Sequence, residues 1–163
     1  IKIFLRPKSL LDIGCGTGEM VKVLRLLGVD AQGLEISKYL LSRASPNIRK
    51  FLKHGNILTL PYQDSSFETV TTFDVLEHIP TEDLKTAVAE CNRVAKKLVL
   101  HKIFTNENWW IKRFHGPDIS HVSIFAKNWW EKFWQENGLV KAKIFYPHLP
   151  TFMETLFILE KKK

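Results

Sequence analysis

Three glycines at alternate positions, Gly14, Gly16 and Gly18, sit in the string LLDIGCGTGEM at 10–20, between an apolar run and a helix-like stretch. Bare backbone at such a junction lets a ligand lie directly against the main chain, where amide N–H groups face it. Two ligand classes use such a loop. Dinucleotide-binding loops read GxGxxG and set a pyrophosphate at the helix N-terminus. Here Glu19 occupies the place of the third glycine in that spacing, and a carboxylate at a helix start repels phosphate. The loop therefore suits a ligand without phosphates, one with a zwitterionic amino-acid tail and a ribose. Glu35 closes a second strand-like run 21 residues beyond Gly14. A carboxylate there accepts hydrogen bonds from both hydroxyls of a ribose; its alternative reading is a solvent-facing strand end.

The elements that must position these groups alternate along the chain. Ser9–Ile13 reads as a strand, and residues 19–27 place Met20, Val23, Leu24 and Leu27 on one helical stripe that Gly28 stops. Asp30–Glu35 is a predicted strand; Ser37 caps a short helix with Tyr39, Leu40 and Leu41 that ends before Pro46. A weaker strand is read over 48–52, a loop over 55–66, and a strand over FETVTTF at 67–73. Pro80 and Thr81 open a helix with Glu82 and Asp83 in its first turn and Leu84, Ala87, Val88 and Cys91 as its buried stripe. KKLVLHKIF at 96–104 is the fifth strand, residues 127–137 form a helix closed by Gly138, and LVKAKIFY and TFMETLFILE are the last two strands. This alternation predicts an α/β, Rossmann-like, mainly parallel seven-stranded sheet with helices on both faces. The short turn between the last two strands makes that pair antiparallel.

Composition narrows the class. A chain of 163 residues with 45% hydrophobic and 25% charged content fits a single globular domain spanning 1–163. No run of about 18 apolar residues occurs, and IKIFLRPKSL at the start has neither the apolar core nor the cleavage site of a signal peptide. Cys15 and Cys91 form no CxxC pair, which favours a reduced, cytoplasmic setting over a disulfide scaffold. The net charge of +7 is spread along the chain apart from Lys161, Lys162 and Lys163. Dispersed lysines read as solvated surface, and a nucleic-acid partner stays an alternative that needs the charge gathered on one face.

Four strings in order, LLDIGCGTG at 10–18, GLEIS at 33–37, GNILTLPYQDSSFETV at 55–70 and FDVLEHIP at 73–80, resemble the class I S-adenosylmethionine-dependent methyltransferases, in particular their type 11-like branch. The resemblance runs from Leu10 through the final strand. It implies S-adenosylmethionine as cofactor and S-adenosylhomocysteine as product. It implies that Asp12, Gly14, Cys15, Gly16 and Gly18 cradle the methionine part, that Glu35 holds the ribose, and that Ile36 packs on the adenine. Asn56 and Ile57 would flank the adenine, with the Asn56 amide oxygen accepting from the exocyclic amine. The family more often has Asp at 56, and Asn keeps the acceptor without the charge. Phe73 and Asp74 would lie beside the sulfonium methyl. Asp12 has a second reading, in which its carboxylate bonds only to loop amides. Family members usually carry helical residues before the glycine strand, so an N-terminal helical region is expected to be short or absent here.

Methyl transfer from a sulfonium is an in-line displacement, so holding nucleophile and methyl in line with water excluded is the main task. A general base is needed only where the acceptor carries a proton at neutral pH. His78 is the first candidate and Glu77 the second, each with a competing reading as helix-start packing. Trp109, Trp110, Phe114 and His121 are candidates for the substrate wall, or for a lid packed on the core. His115, Asp118 and His121 recur every third residue, but Gly116 and Pro117 break a helix there, so no metal is expected. WWEKFW at 129–134 has helical spacing and reads as core. The expected function is methyl transfer to a small-molecule acceptor. The alternatives are an RNA-modifying methyltransferase, a non-catalytic cofactor-binding regulatory domain, and a nicotinamide oxidoreductase, which Glu19 opposes.

Overall fold

A computed structural model describes residues 7–105, 120–142 and 154–161. In chain order the elements are β1 (Ser9–Ile13), α1 (Glu19–Leu26), β2 (Asp30–Glu35), α2 (Lys38–Arg43), α3 (Pro46–Arg49), β3 (Leu52–His54) and β4 (Phe67–Phe73). Short 3-10 turns at Leu76–His78 and Thr81–Asp83 lead into α4 (Leu84–Val94), followed by β5 (Ala95–Phe104), α5 (Lys127–Glu136), β6 (Leu139–Lys141) and β7 (Glu154–Lys161). The strands form one sheet in the order β3-β2-β1-β4-β5-β7-β6. Pairings from β3 through β5 are parallel, and β7 runs antiparallel to both β5 and β6.

Alternation along β1 divides the core into two layers. Leu10 packs with Val21 and Leu24 of α1 and with Ala31 of β2, while Leu11 and Ile13 join the larger cluster beneath α4 and α5. In α4 the stripe Leu84, Ala87, Val88, Cys91 and Val94 is buried, and full burial of one such aliphatic side chain is worth about 1.5–3 kcal/mol. Trp130 and Trp134 of α5 stack with ring centroids 5.1 Å apart, and Trp134 stacks in turn on His101 of β5 at 4.8 Å. WWEKFW therefore supplies core, as its spacing predicts. His101 is fully buried and accepts or donates at Nδ1 with the Thr72 hydroxyl at 2.6 Å. Burial pushes its pKa down to about 3, so it is neutral throughout the physiological range.

Among the described residues, the element predicted over 48–52 differs in kind. The strand read over 48–52 is instead a short helix, Pro46–Arg49, and β3 begins only at Leu52. Pro46 lies in the first turn of that helix, where its fixed φ favours helix entry and its missing N–H costs nothing. The buried Ile48 side chain, which looks strand-like in sequence, packs near Gly18 of the glycine loop. The helix predicted from Pro80 starts as a 3-10 turn and becomes α-helical at Leu84.

Gly33 on β2 is packed closely inside the layer under α1. A Cβ there would lie 2.5 Å from Cys15 Sγ and 2.8 Å from Leu52 Cδ2. Both neighbours are held inside the packed layer under α1. Gly33→Ala is expected to destabilise the fold by about 1–3 kcal/mol, seen as a lower Tm in thermal denaturation. Adding Cys15→Ala should recover part of the loss by removing the nearest atom.

Candidate functional site

Beyond the carboxyl end of β1 the chain turns through residues 14–18 into α1. Gly14, Gly16 and Gly18 all adopt left-handed φ, at 76°, 57° and 83°, which L side chains rarely tolerate. Their surroundings differ. A Cβ at Gly14 would collide with Val75 Cγ2 and one at Gly18 would meet Leu52 and Ile48, so those two are packed from behind. A Cβ at Gly16 would meet nothing within 4 Å. The middle glycine thus opens onto free space above the strand ends, and that space is where a ligand can approach the backbone.

Glu35, at the end of β2, is buried to 6% exposure and grips this loop. Its Oε2 accepts from Gly16 N at 2.9 Å and its Oε1 from Ser37 N at 2.8 Å. Each carboxylate oxygen keeps a further acceptor site. Ser37 caps α2 by accepting from Leu40 N at 3.2 Å. Beside it Ile36 is 65% exposed and Tyr39 70%. Glu19 projects outward at the start of α1 and pairs with Lys22 at 3.6 Å, so its charge remains close to the loop.

Asp12 and Cys15 lie under the loop. The Asp12 carboxylate is buried and accepts from the Thr71 hydroxyl on β4 at 3.1 Å, directly across the parallel register from it. Burial, opposed by that hydrogen bond and helped by the charge of Glu35, pushes its pKa up to about 7. The loop-amide reading of Asp12 is replaced by this cross-strand bond. Burial likewise pushes the Cys15 thiol up to about 12, with Asp12 and Glu35 adding to the effect. Cys91, wholly buried in α4, reaches about 12 chiefly for the same reason.

The other predicted positions divide by side-chain direction. Asn56 is exposed, and its Oδ1 accepts from Leu58 N at 2.9 Å in a tight turn. The Ile57 side chain is buried in the main core. Phe73 is half-buried at the end of β4. Asp74 follows with φ 56°, donates its N–H to Lys102 O at 3.0 Å, and pairs with Lys102 Nζ at 2.8 Å. Lys102 escapes sequence reading because it is one lysine among several in KKLVLHKIF; its signal is a charge near the carboxyl end of the strand, after the apolar run Leu98–Leu100.

Glu77 and His78 have opposite fates. Glu77 is 1% exposed; its Oε1 accepts from Phe104 N at 3.0 Å and its carbonyl from Val122 N and Ser123 N. Burial raises its pKa. The carboxyl ties this turn to β5 and the backbone carbonyl ties it to the 122–123 segment. His78 is exposed on the rim, its Nδ1 3.0 Å from Ser120 O. A carbonyl only accepts, so Nδ1 carries a proton, and in the neutral ring Nε2 is the basic nitrogen. The His121 ring lies 4.7 Å from that of His78 and 5.0 Å from that of Phe104, forming an aromatic ledge beside the end of β5. Trp109, Trp110, Phe114, His115 and Asp118 lie outside the described residues. Among the described residues, no group of three or more His, Cys, Asp or Glu gathers to hold a metal, and no helix is long and apolar enough to cross a membrane.

A family model described as a methyltransferase domain matches residues 11–99, more than half of the chain. The chain belongs to this family, the class I S-adenosylmethionine-dependent methyltransferases of the type 11 branch. It is 33% identical over 103 residues to a ubiquinone biosynthesis O-methyltransferase of Methylococcus capsulatus, covering 56% of this chain and 40% of that protein. It is 30% identical over 95 residues to a magnesium-protoporphyrin O-methyltransferase of Synechocystis, covering 55% of this chain and 41% of that protein. The chain thus spans about two fifths of each of these relatives. Among solved structures, the Synechocystis magnesium protoporphyrin IX methyltransferase with bound S-adenosylhomocysteine superposes with a TM-score of 0.73 at 18% identity, over 94% of this chain and 74% of that one. A Pyrococcus horikoshii protein superposes with a TM-score of 0.79 at 16% identity, over 99% and 85%. These likenesses establish the fold.

The raised pKa of Asp12 carries a sign. The folded state holds its proton up to about pH 7, whereas an unfolded Asp loses it near 3.9. Between those values the native state binds more protons, so stability falls as pH rises through that window. Asp12→Asn should abolish this contribution. Urea denaturation at pH 5 and pH 8 is expected to show the wild type losing about 2–3 kcal/mol more than the variant across that interval.

Proposed function

We propose that this chain binds S-adenosylmethionine over the glycine loop and transfers its methyl group to a small-molecule acceptor. The observation that carries the reading is the pairing of an open left-handed Gly16 with a buried Glu35 that still has acceptor capacity on both oxygens. In this reading the backbone of 14–18 receives the amino-acid end, with Asp12 and Cys15 supporting the loop from below. Glu35 accepts from the ribose hydroxyls, Ile36 covers one face of the adenine, and the backbone around Asn56 and Ile57 lines its edge. The residues present fit a nucleoside bearing a zwitterionic tail and no phosphate. When bound, the cofactor supplies an electrophilic methyl on a sulfonium.

The chain's own work is then orientation and proton handling. Phe73 and Asp74 close the end of β4, and the Asp74–Lys102 pair fixes the left-handed turn there. The ledge of Phe104, His121 and His78 suits a planar acceptor laid against it. Where that acceptor carries a hydroxyl or amine proton, His78 Nε2 takes it as the new bond to carbon forms and the bond from sulfur to methyl breaks. Glu77 braces the rim through its bond to Phe104 N. The relatives named for ubiquinone biosynthesis and for magnesium-protoporphyrin, both O-methyltransferases, support a small-molecule acceptor, with oxygen as the acceptor atom to test first.

Isothermal titration calorimetry with S-adenosylhomocysteine tests the cofactor half of the proposal. Wild-type protein is expected to bind, and Glu35→Ala to weaken binding by more than about tenfold, since it removes the ribose acceptor and the anchor of Gly16 together. Absence of binding by the intact chain would sink the reading.

A further inference from the structure

The loop that carries Asn56 and Ile57 is held from outside the site by one helix. Near the end of α4, Arg93 forks onto Glu90 one turn earlier, with Nε 2.6 Å from Oε1 and Nη2 2.9 Å from Oε2. The pair lies on a helix and would form without the loop. The loop's backbone nevertheless plugs into it. Leu60 N donates to Glu90 Oε2 at 2.7 Å, and Leu60 O accepts from Arg93 Nη2 at 3.0 Å. Tyr62 O and Asp64 Oδ1 accept from Arg93 Nη1, each at 2.8 Å, and Ser65 N donates to Arg93 O at 2.9 Å.

This clamp is connected to the site by a short rigid turn. Asn56 O accepts from Thr59 N at 3.2 Å and Asn56 Oδ1 from Leu58 N at 2.9 Å, so 56–59 is a closed turn ending at the clamped Leu60. The side chains of Ile57 and Leu60 are both buried, at 6% and 5% exposure, and anchor the same stretch to the core. Main-chain atoms at the start of the turn therefore have their position set by a guanidinium–carboxylate pair on α4. A loop without internal secondary structure that is pinned at both N–H and C=O of one residue loses the freedom that would otherwise oppose ligand binding.

We propose that Glu90 and Arg93 are positioning residues for the nucleoside end of the cofactor, fixing the 56–60 turn at its binding geometry from behind. The inference rests on the cofactor reading given above. It implies that binding depends on the clamp's contact with the loop and not on the helix ion pair as such. Exchanging the two charges, as Glu90→Arg with Arg93→Glu, keeps an ion pair on α4 but sets a cation against Leu60 N–H.

Calorimetry with S-adenosylhomocysteine on the intact chain, together with amide hydrogen exchange, separates the outcomes. Arg93→Lys keeps the charge and loses the fork; it is expected to bind roughly tenfold more weakly, with the amides of 58–64 exchanging faster. The charge-exchanged double variant should bind no better than Arg93→Lys. Glu90→Ala, which removes the acceptor for Leu60 N–H, serves if Arg93→Lys does not fold, and a loss of roughly threefold or more is expected of it. A wild type that binds, with Glu90→Ala or a folded Arg93→Lys binding within roughly threefold of it, would overturn the inference and leave the cofactor reading standing, as would recovery of wild-type affinity in the double variant. No binding by the wild type overturns both.

Discussion

The Glu35 carboxylate is the interaction on which the site is built. It sits at the end of β2, is almost fully withdrawn from water, and accepts from one amide in the glycine loop and one at the start of α2. A buried carboxylate is costly unless its lone pairs are met by donors, and these donors are main-chain groups whose geometry the two flanking elements fix. The loop after β1 and the cap of α2 are thereby tied to each other through one side chain. The same arrangement explains why Gly16 can stay open on its outer side: its conformation is held by the hydrogen bond to Glu35 rather than by packing.

The sheet places that interaction where a ligand can use it. From β1 the order runs outward through β2 to β3 in one direction and through β4 to β5 in the other, and a crevice opens beyond the strand ends where the direction changes. α1 covers one face at that point and α4 the other. Groups from β1, β2 and β4 therefore converge above the sheet. The antiparallel β7, between β5 and β6, extends the floor without adding another crossover.

Much of this was legible in the sequence because local chemistry and global fold agree. The glycine spacing, the bounds of β1 and β2, the Ser37 cap and the stripe of α4 each follow from rules about short stretches. The misread strand at 48–52 shows where such rules fail. Ile48, Phe51 and Leu52 have strand-like composition, but Pro46 starts a helical turn and tertiary packing near Gly18 decides the rest. At the site, residue types were readable and directions were not. Nothing in LEH distinguishes a buried Glu77 from an exposed His78, because a 3-10 turn sends neighbouring side chains to different sides. The clamp at Arg93 was equally hidden, since its partners lie some thirty positions away in sequence.

The two cysteines have a consequence for anyone handling the protein. Both are buried, and burial pushes both thiols up to about 12, which disfavours the thiolate that reacts with alkylating reagents or disulfides. In the native state the chain is chemically quiet toward such reagents. Thiol modification then becomes a clock for opening of the fold: Cys15 reports on the glycine loop and the layer under α1, and Cys91 on the core beneath α4. A single cysteine introduced at an exposed position would carry a label without competition from either.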